Sequence, residues 1–361
     1  MLQNSKKKIC LIVECLSIGG AEKQAANFSK SLEKEGFEVS IITLKDKISY
    51  EYAGTLYNLG KKESSIKIVK QAQKLIAFKK AYQHCNADVY IDFRTRTRKR
   101  MEFVLHKWVF DNAKMIFVIH SYKIDWHIPK GRFFTKIYAK AKAVVAVSEA
   151  ICKNVEKTYD FKNVIHIPNY ITSEVSCSQA TVQLDEDYII AVGRLDNHIK
   201  QFDKLIEAYK ASKIAEKGIK LVICGDGQDR KVLQELIKKL QLEAHVQLLG
   251  FVENIDDYIR QAKFLVLSSR VEGFPMVLIE ALQQKTPVIS FDCLSGPNEI
   301  IQHKINGLLV ENQNFANFKD AMRLLIENLE LYAICKQNAV SSIKKFTEKN
   351  VIPLWIQLLN A

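Results

Sequence analysis

Ile9-Cys10-Leu11-Ile12-Val13 is soon followed by Gly19-Gly20-Ala21-Glu22, and Tyr188-Ile189-Ile190-Ala191-Val192 runs directly into Gly193-Arg194-Leu195. Both are short apolar runs rich in β-branched residues that end at a glycine turn. That is the pattern of a parallel strand buried on both faces and followed by a reversal of direction. Outward from these two stretches the pattern repeats. The first half predicts strands near Ile9–Val13, Val39–Leu44, Val89–Phe93, Met115–His120, Ala143–Ser148 and Val164–Pro168. The second half predicts them near Tyr188–Val192, Lys220–Cys224, Val246–Leu249, Phe264–Ser268, Pro287–Phe291 and Leu308–Val310. Helical stretches separate them. The fold class is therefore α/β, with two doubly wound (Rossmann-like) parallel-sheet domains facing across a cleft.

The 361 residues and 48% apolar content suffice for two buried cores. The Ser/Thr-rich, aperiodic stretch Thr172–Gln183 is the expected linker, dividing domains 1–171 and 172–344. Eight scattered cysteines without a Cys-x-x-Cys pair fit reduced, cytosolic thiols used as small apolar groups. Lys6-Lys7-Lys8 before an apolar run imitates a leader peptide, but Glu14 interrupts that run, which reads better as a first strand. No window approaches the ~18 apolar residues of a membrane span, so membrane contact is expected to be peripheral.

Charge is unevenly divided. Residues 1–175 carry 31 Lys+Arg against 17 Asp+Glu, whereas residues 176–361 carry 22 against 23. The whole excess of the net +13 lies in the first half, which is thus the half suited to an anionic surface or polyanion.

Glu272-Gly273-Phe274-Pro275, leading into Met276-Val277-Leu278-Ile279-Glu280, carries the most chemistry. Pro275 suits the first position of a helix, leaving the amides around Gly273, Phe274, Met276 and Val277 free to meet an anion. Glu280, about a turn and a half into that helix, can accept from hydroxyls attached to the anion. Arg194 and Lys200 stand six residues apart after a strand, two cations able to neutralise a diphosphate. Gly225-Asp226-Gly227 reads as a tight turn, and Ser295-Gly296-Pro297-Asn298-Glu299-Ile300 as another capped helix start. Taken singly, each of these strings also fits ordinary loop architecture.

Together, Gly19-Gly20-Ala21-Glu22, Ile167-Pro168-Asn169, Gly193-Arg194-Leu195 with Lys200, Gly225-Asp226-Gly227, Glu272–Pro275 with Glu280, and Asn306-Gly307-Leu308-Leu309-Val310 resemble the family-4 retaining glycosyltransferases of the GT-B fold, in order over nearly the whole chain. The resemblance implies a nucleotide-diphosphate sugar held by the second domain and an acceptor held by the first. It implies that Arg194 and Lys200 bind the diphosphate, that Glu280 accepts from the ribose, and that Glu272 with Gly273, Phe274 and Pro275 holds the donor sugar. His120 is similar to the family histidine that reaches the transferred sugar, and Gly19 and Gly20 match its substrate-facing turn. The catalytic set expected is His120, Arg194, Lys200 and Glu272. A segment 345–361, with Trp355, is expected to return as a helix to the first domain. Lys23, where many relatives have Arg, and the spacer Asp196-Asn197-His198-Ile199 depart from the pattern without removing a catalytic group.

The chemistry expected is transfer of a hexose or N-acetylhexosamine, from a UDP-sugar on the family's habit, to a lipid-linked saccharide in cell-envelope glycan synthesis. No metal or other cofactor is expected, because cations and amides already stabilise the departing diphosphate. The run Arg94-Thr95-Arg96-Thr97-Arg98-Lys99-Arg100 is expected to meet acceptor phosphates. A helix with Ile68, Val69, Ala72, Leu75 and Ile76 inward, Lys67, Lys70 and Lys74 outward, and Phe78 beside the basic face is expected to lie on anionic lipid at the inner face of the cytoplasmic membrane. Three other readings compete. They are a sugar-nucleotide epimerase on the same fold, a metal-dependent transferase using Asp185-Glu186-Asp187, and a basic nucleic-acid-binding protein, which lacks a recognition module.

Overall fold

A computed structural model describes residues 6–17, 19–61, 67–172 and 187–361, with backbone alone for 67–71. The chain divides into two compact units, Met1–Tyr170 with Val351–Ala361, and Ile171–Asn350. The expected linker falls largely outside the described residues, as do Asp185 and Glu186; Asp187 pairs with Lys263 at 2.8 Å.

In the first unit the strands are β1 (Lys8–Val13), β2 (Glu38–Thr43), β3 (Thr55–Asn58), β4 (Val89–Asp92), β5 (Met115–Ile119), β6 (Ala143–Ala146) and β7 (Val164–His166). They form one parallel sheet in the order β3-β2-β1-β4-β5-β6-β7. Helices α1 (Gly20–Lys34), α2 (Lys67–Cys85), α3 (Lys99–Trp108), α4 (Arg132–Lys140) and α5 (Glu149–Tyr159) connect them. The second unit has β8 (Tyr188–Val192), β9 (Lys220–Cys224), β10 (Val246–Gly250), β11 (Leu265–Leu267), β12 (Val288–Phe291) and β13 (Gly307–Val310), all parallel, in the order β10-β9-β8-β11-β12-β13. Its helices are α6 (Phe202–Ser212), α7 (Arg230–Lys239), α8 (Ile255–Gln261), α9 (Met276–Gln283), α10 (Pro297–Ile300), α11 (Phe315–Glu327) and α12 (Leu329–Ser342). The last helix, α13 (Glu348–Asn360), ends in the first unit, where Trp355 packs on Phe28 at 4.7 Å and Lys7 Nζ donates to Leu359 O.

Central strands are buried at every position because helices cover both faces, as in β5 and β12, and they are correspondingly almost wholly apolar. Strand order reverses between β1 and β4 in one sheet and between β8 and β11 in the other. At such a reversal the two loops leaving the carboxyl ends diverge and open a crevice.

Two expectations need correction. Strand β3 was not anticipated, since an exposed Thr55 and three half-buried residues at a sheet edge carry neither an apolar run nor a clear alternation. In α2, the side chains of Lys67, Ile68, Val69 and Lys70 lie outside the described residues, but Ala72 and Ile76 are exposed. The buried face is Phe78, Ala81, Tyr82 and Cys85. Large rings set this phase: Tyr82 stacks on Tyr90 at 3.8 Å and Phe78 meets Phe110 at 5.7 Å. Phe78 is therefore core, not membrane-facing. The seven described cysteines are free thiols.

Candidate active site

The loop leaving β8 is tied to the loop leaving β9. Gly193 N donates to Cys224 O at 2.9 Å, Leu195 N to Asp226 O at 3.1 Å, and Asp229 N to Leu195 O at 3.2 Å. Gly225 has φ +134°, and a Cβ there would overlap the Gly193 carbonyl. Only glycine allows this approach. The chain then reverses at Asp196, whose carbonyl accepts from Ile199 N and Lys200 N, while Asn197 N donates to Asp229 Oδ2 at 2.6 Å. The polar spacer 196–199 is thus a turn, and it delivers Lys200 back over Gly193, where a Cβ would lie 3.1 Å from Lys200 Cε.

Across the strand-order reversal, Lys200 meets the loop that leaves β11. Lys200 Nζ lies 2.6 Å from Glu272 Oε1, with both side chains largely sheltered, 19% and 14% exposed. The loop backbones hold this register: Arg270 N donates to Ile199 O at 2.8 Å, and Ser268 Oγ to Lys200 O at 2.7 Å. With its side-chain amide turned to satisfy its neighbours, buried Gln201 also donates to Ser268 O at 3.2 Å and accepts from Arg270 Nη2 at 3.3 Å.

A third loop, leaving β12, clamps the segment 272–275. Glu272 N donates to Leu294 O, Ser295 N to Glu272 O, and Ser295 Oγ to Gly273 O at 2.7 Å. Gly296 has φ +99°, and a Cβ would sit 2.8 Å from Pro275 Cδ and 3.0 Å from Gly273 O. Pro275 caps α9 instead of opening it, because its ψ of 92° is extended; Met276 is the first helical residue. Leu278 N closes the first turn on Pro275 O at 3.0 Å. Among the described residues no acceptor takes the amides of Gly273, Phe274, Met276 or Val277. These donors sit at the positive end of a helix, the arrangement that attracts anions. The Phe274 ring is buried against Phe346 at 5.1 Å, so this residue offers a ligand its backbone only. Glu280 is half-buried on α9, five residues beyond Pro275.

The structure therefore assembles Lys200, Glu272, the 273–277 amides and Glu280 on adjoining elements. Arg194 shares the loop with Lys200 but is exposed, and its guanidinium forms no ion pair among the described residues. No group of three or more His, Cys, Asp and Glu among those residues is placed to hold a metal. Ser268 and Arg270, which also order the site, escaped the motif reading because their role lies in loop-to-loop register, whereas Ser295 and Gly296, read as a helix start, prove to clamp the 273–275 backbone.

In the first unit, Gly19 precedes α1 and Gly20 opens it with free space beside its Cα. His120 follows β5, its ring 5.4 Å from Phe93 and 6.1 Å from His127. Both its ring nitrogens are buried and lack a partner among the described residues. Burial, reinforced by the Arg96 charge, pushes its pKa down to about 3, so the ring is neutral at ordinary pH.

The arginine run is not the phosphate-binding surface expected. Arg94 is buried and forks onto Asp92 (2.8 and 2.9 Å) and Glu102 (3.3 and 3.4 Å). Arg96 is wholly buried and donates to four carbonyls: His127 at 2.6 Å, Asp92 at 3.1 Å, and Arg94 and Val118 at 3.0 Å. Burial by itself would raise Asp92, but the two guanidinium groups override it and hold its carboxyl below the usual range. Arg94 thus ties the β4 end to α3, and Arg96 ties it to β5 and to the 124–128 turn. Arg98, Lys99 and Arg100 alone of the run's cations remain exposed.

Comparison with known proteins accounts for both halves. Residues 18–175 match Glycosyltransferase Family 4 and residues 177–341 match Glycosyl transferases group 1. The amylovoran biosynthesis glycosyltransferase AmsD of Erwinia amylovora is 25% identical over 98% of this chain and 99% of its own length. The N-acetylgalactosamine-N,N'-diacetylbacillosaminyl-diphospho-undecaprenol 4-alpha-N-acetylgalactosaminyltransferase of Campylobacter jejuni is 27% identical over 96% of this chain and 97% of its own. Among solved structures, a mutant of S. aureus TarM in complex with fondaparinux, alpha-GlcNAc-glycerol and UDP superposes with a TM-score of 0.80 at 16% identity, covering 98% of this chain and all of that one. Anabaena HepE in complex with UDP and glucose superposes with a TM-score of 0.75 at 16% identity, covering 98% and 99%. These two likenesses show a shared fold, and the sequence matches carry the assignment. With motifs, sheet orders and both halves in agreement, the chain belongs to the family-4 glycosyltransferases of the GT-B fold.

Proposed function

We propose that this glycosyltransferase moves a hexose or N-acetylhexosamine, with retention of configuration and without a divalent metal, from a UDP-sugar to a lipid-linked saccharide of the cell envelope. The observation that carries the reading is Lys200 held against Glu272 beside four unengaged amides at the start of α9. Departure of a nucleoside diphosphate leaves negative charge on phosphate while positive charge grows at the anomeric carbon. A cation and preorganised amides facing the phosphate stabilise that state, each well-placed donor contributing about 3 kcal/mol. In this reading Lys200 and Arg194 take the place of a divalent ion, and Glu280 accepts from the ribose. Glu272 and the Gly273–Pro275 backbone hold the donor sugar, and neutral His120 exchanges hydrogen bonds with it. Retention follows if the acceptor attacks from the face that the phosphate leaves, with a phosphate oxygen taking the acceptor's proton. No protein base is then required. The lipid-linked acceptor is supported by the Campylobacter jejuni relative, an N-acetylgalactosaminyltransferase named for a diphospho-undecaprenol-linked acceptor.

The test is a screen of nucleotide sugars for thermal stabilisation and slow hydrolysis in the presence of a chelator. Ligand at a hundredfold excess over its Kd stabilises by about 2.7 kcal/mol. UDP and one UDP-sugar are expected to stabilise the wild type, and Arg194→Ala is expected to lose most turnover while remaining folded. Failure of every nucleoside diphosphate to bind, with tight salt-dependent RNA binding, overturns the reading in favour of a nucleic-acid-binding protein; product analysis separates transfer from epimerisation.

A further inference from the structure

Helices α3 and α4 lie side by side in the first unit, joined by Phe103 and Phe133, whose rings meet at 4.6 Å. Phe103 is 46% exposed and Trp108, at the end of α3, 64%. Large apolar rings left this open are uncommon in a molecule with ample core, and two on one short helix mark a surface that something covers. Exposed cations share the same two helices. Lys99, Arg100 and Lys107 are exposed on α3, and Arg132, Lys136 and Lys140 on α4. Opposing charge is missing from both helices: the one acid of α3, Glu102, is buried against Arg94, and α4 contains none. The nearby Asp125 is already paired with Lys130 at 2.7 Å.

We infer that the α3–α4 face is the surface by which this chain lies on a bilayer rich in anionic lipid, with Phe103, Phe133 and Trp108 entering the headgroup boundary and the cations of the same helices meeting lipid phosphates. Exposed aromatics that share helices with exposed cations are what an interfacial protein face requires. A second copy of the chain is disfavoured there, since two such faces repel. Single-stranded RNA, which also stacks on aromatics, fits less well: Phe103 and Phe133 pack against each other and leave no gap for a base. The inference deepens the proposed function, since its motive is a lipid-linked acceptor, but binding to a bilayer is measurable without any glycosyl transfer.

The experiment is flotation of the full chain with vesicles of phosphatidylcholine alone, or with about one third phosphatidylglycerol, at low and high salt. The wild type is expected to float with anionic vesicles only and to be released by salt. Each cation near the surface contributes about fivefold, so Arg100→Glu, Lys107→Glu and Arg132→Glu combined should lower vesicle affinity by at least about a hundredfold. Phe103→Ser with Trp108→Ser should lower it about tenfold. Thermal midpoint and UDP-sugar hydrolysis, expected to be unchanged in both variants, show that the chain is folded and keep failure of docking distinct from failure of the transferase reading. Wild-type flotation by either variant overturns the inference. So does full vesicle binding by the aromatic variant alone together with equal competition by RNA, which would mark a general polyanion surface.

Discussion

Replacing Glu272 by Gln should tighten binding of the product nucleotide while it slows the reaction. Lys200 is neutralised by the Glu272 carboxylate 2.6 Å away. A phosphate oxygen touching the same ammonium lies within about 6 Å of that carboxylate, where two unit charges repel by about 3 kcal/mol at an effective dielectric constant of about 20. Glu272→Gln removes the repulsion. The site is partly open, so screening reduces the gain to about 1.4 kcal/mol, or about tenfold in the Kd for UDP. The same change takes away a charged acceptor for sugar hydroxyls, about 1.5–3 kcal/mol, so kcat should fall about ten- to a hundredfold. Lys200→Met should weaken UDP and lower kcat together. Each single variant strands one sheltered charge and should lose about 2 kcal/mol of stability, with part of that restored in the double variant. Calorimetric titration with UDP, steady-state hydrolysis of the UDP-sugar and urea unfolding supply the three readouts. If neither Glu272→Gln nor Lys200→Met changes the Kd for UDP, the diphosphate lies elsewhere and the ion pair is merely structural.

Three further outcomes are expected. Arg96→Met bares four buried carbonyls at about 1 kcal/mol each, so urea unfolding should report a loss of about 4 kcal/mol, with Arg96→Lys intermediate; a loss below about 1 kcal/mol would contradict the staple. His106 and His120 are pushed by burial to about 4 and about 3, so the native rings stay neutral while unfolded histidine, near 6.5, takes up a proton. Stability is therefore complete above about pH 6.5 and falls as pH drops, by about 3 kcal/mol per ring at pH 4. His106→Phe should make that acid limb shallower, and a urea midpoint that is flat between pH 7 and 5 in the wild type, outside this window's sign, would refute the account. Gly296→Ala forces a Cβ against Pro275 Cδ at 2.8 Å in a left-handed conformation, and should lower kcat/KM for the UDP-sugar by about tenfold or more through displacement of the 273–275 amides. Wild-type kinetics in that variant would show that the position of this segment does not matter.

Hydrophobic period and glycine turns made most strands legible, because a parallel strand covered on both faces must be apolar along its length. β3 and the phase of α2 were not legible. An edge strand has weak period, and the inward face of α2 is set by Tyr90 and Phe110, rings supplied from elsewhere in the unit. Residue type gave the wrong picture for Arg94 and Arg96. A dense basic string looks like a surface, yet Asp92 and Glu102 neutralise Arg94, and carbonyls of three segments consume the donors of Arg96. Arg98, Lys99 and Arg100 have no such partners among the described residues and stay outside.

Local order thus already specified two parallel sheets, the glycine reversals at 193 and 225, and a helix start at 275–276 that presents amides, since these depend on neighbours along the chain. The meeting of Lys200 with Glu272, 72 residues apart, depends on β8 and β11 lying side by side at the reversal of strand order. Parallel strands are joined by long crossovers, so side chains that share one end of a sheet come from distant parts of the chain, and packing alone brings their charges together.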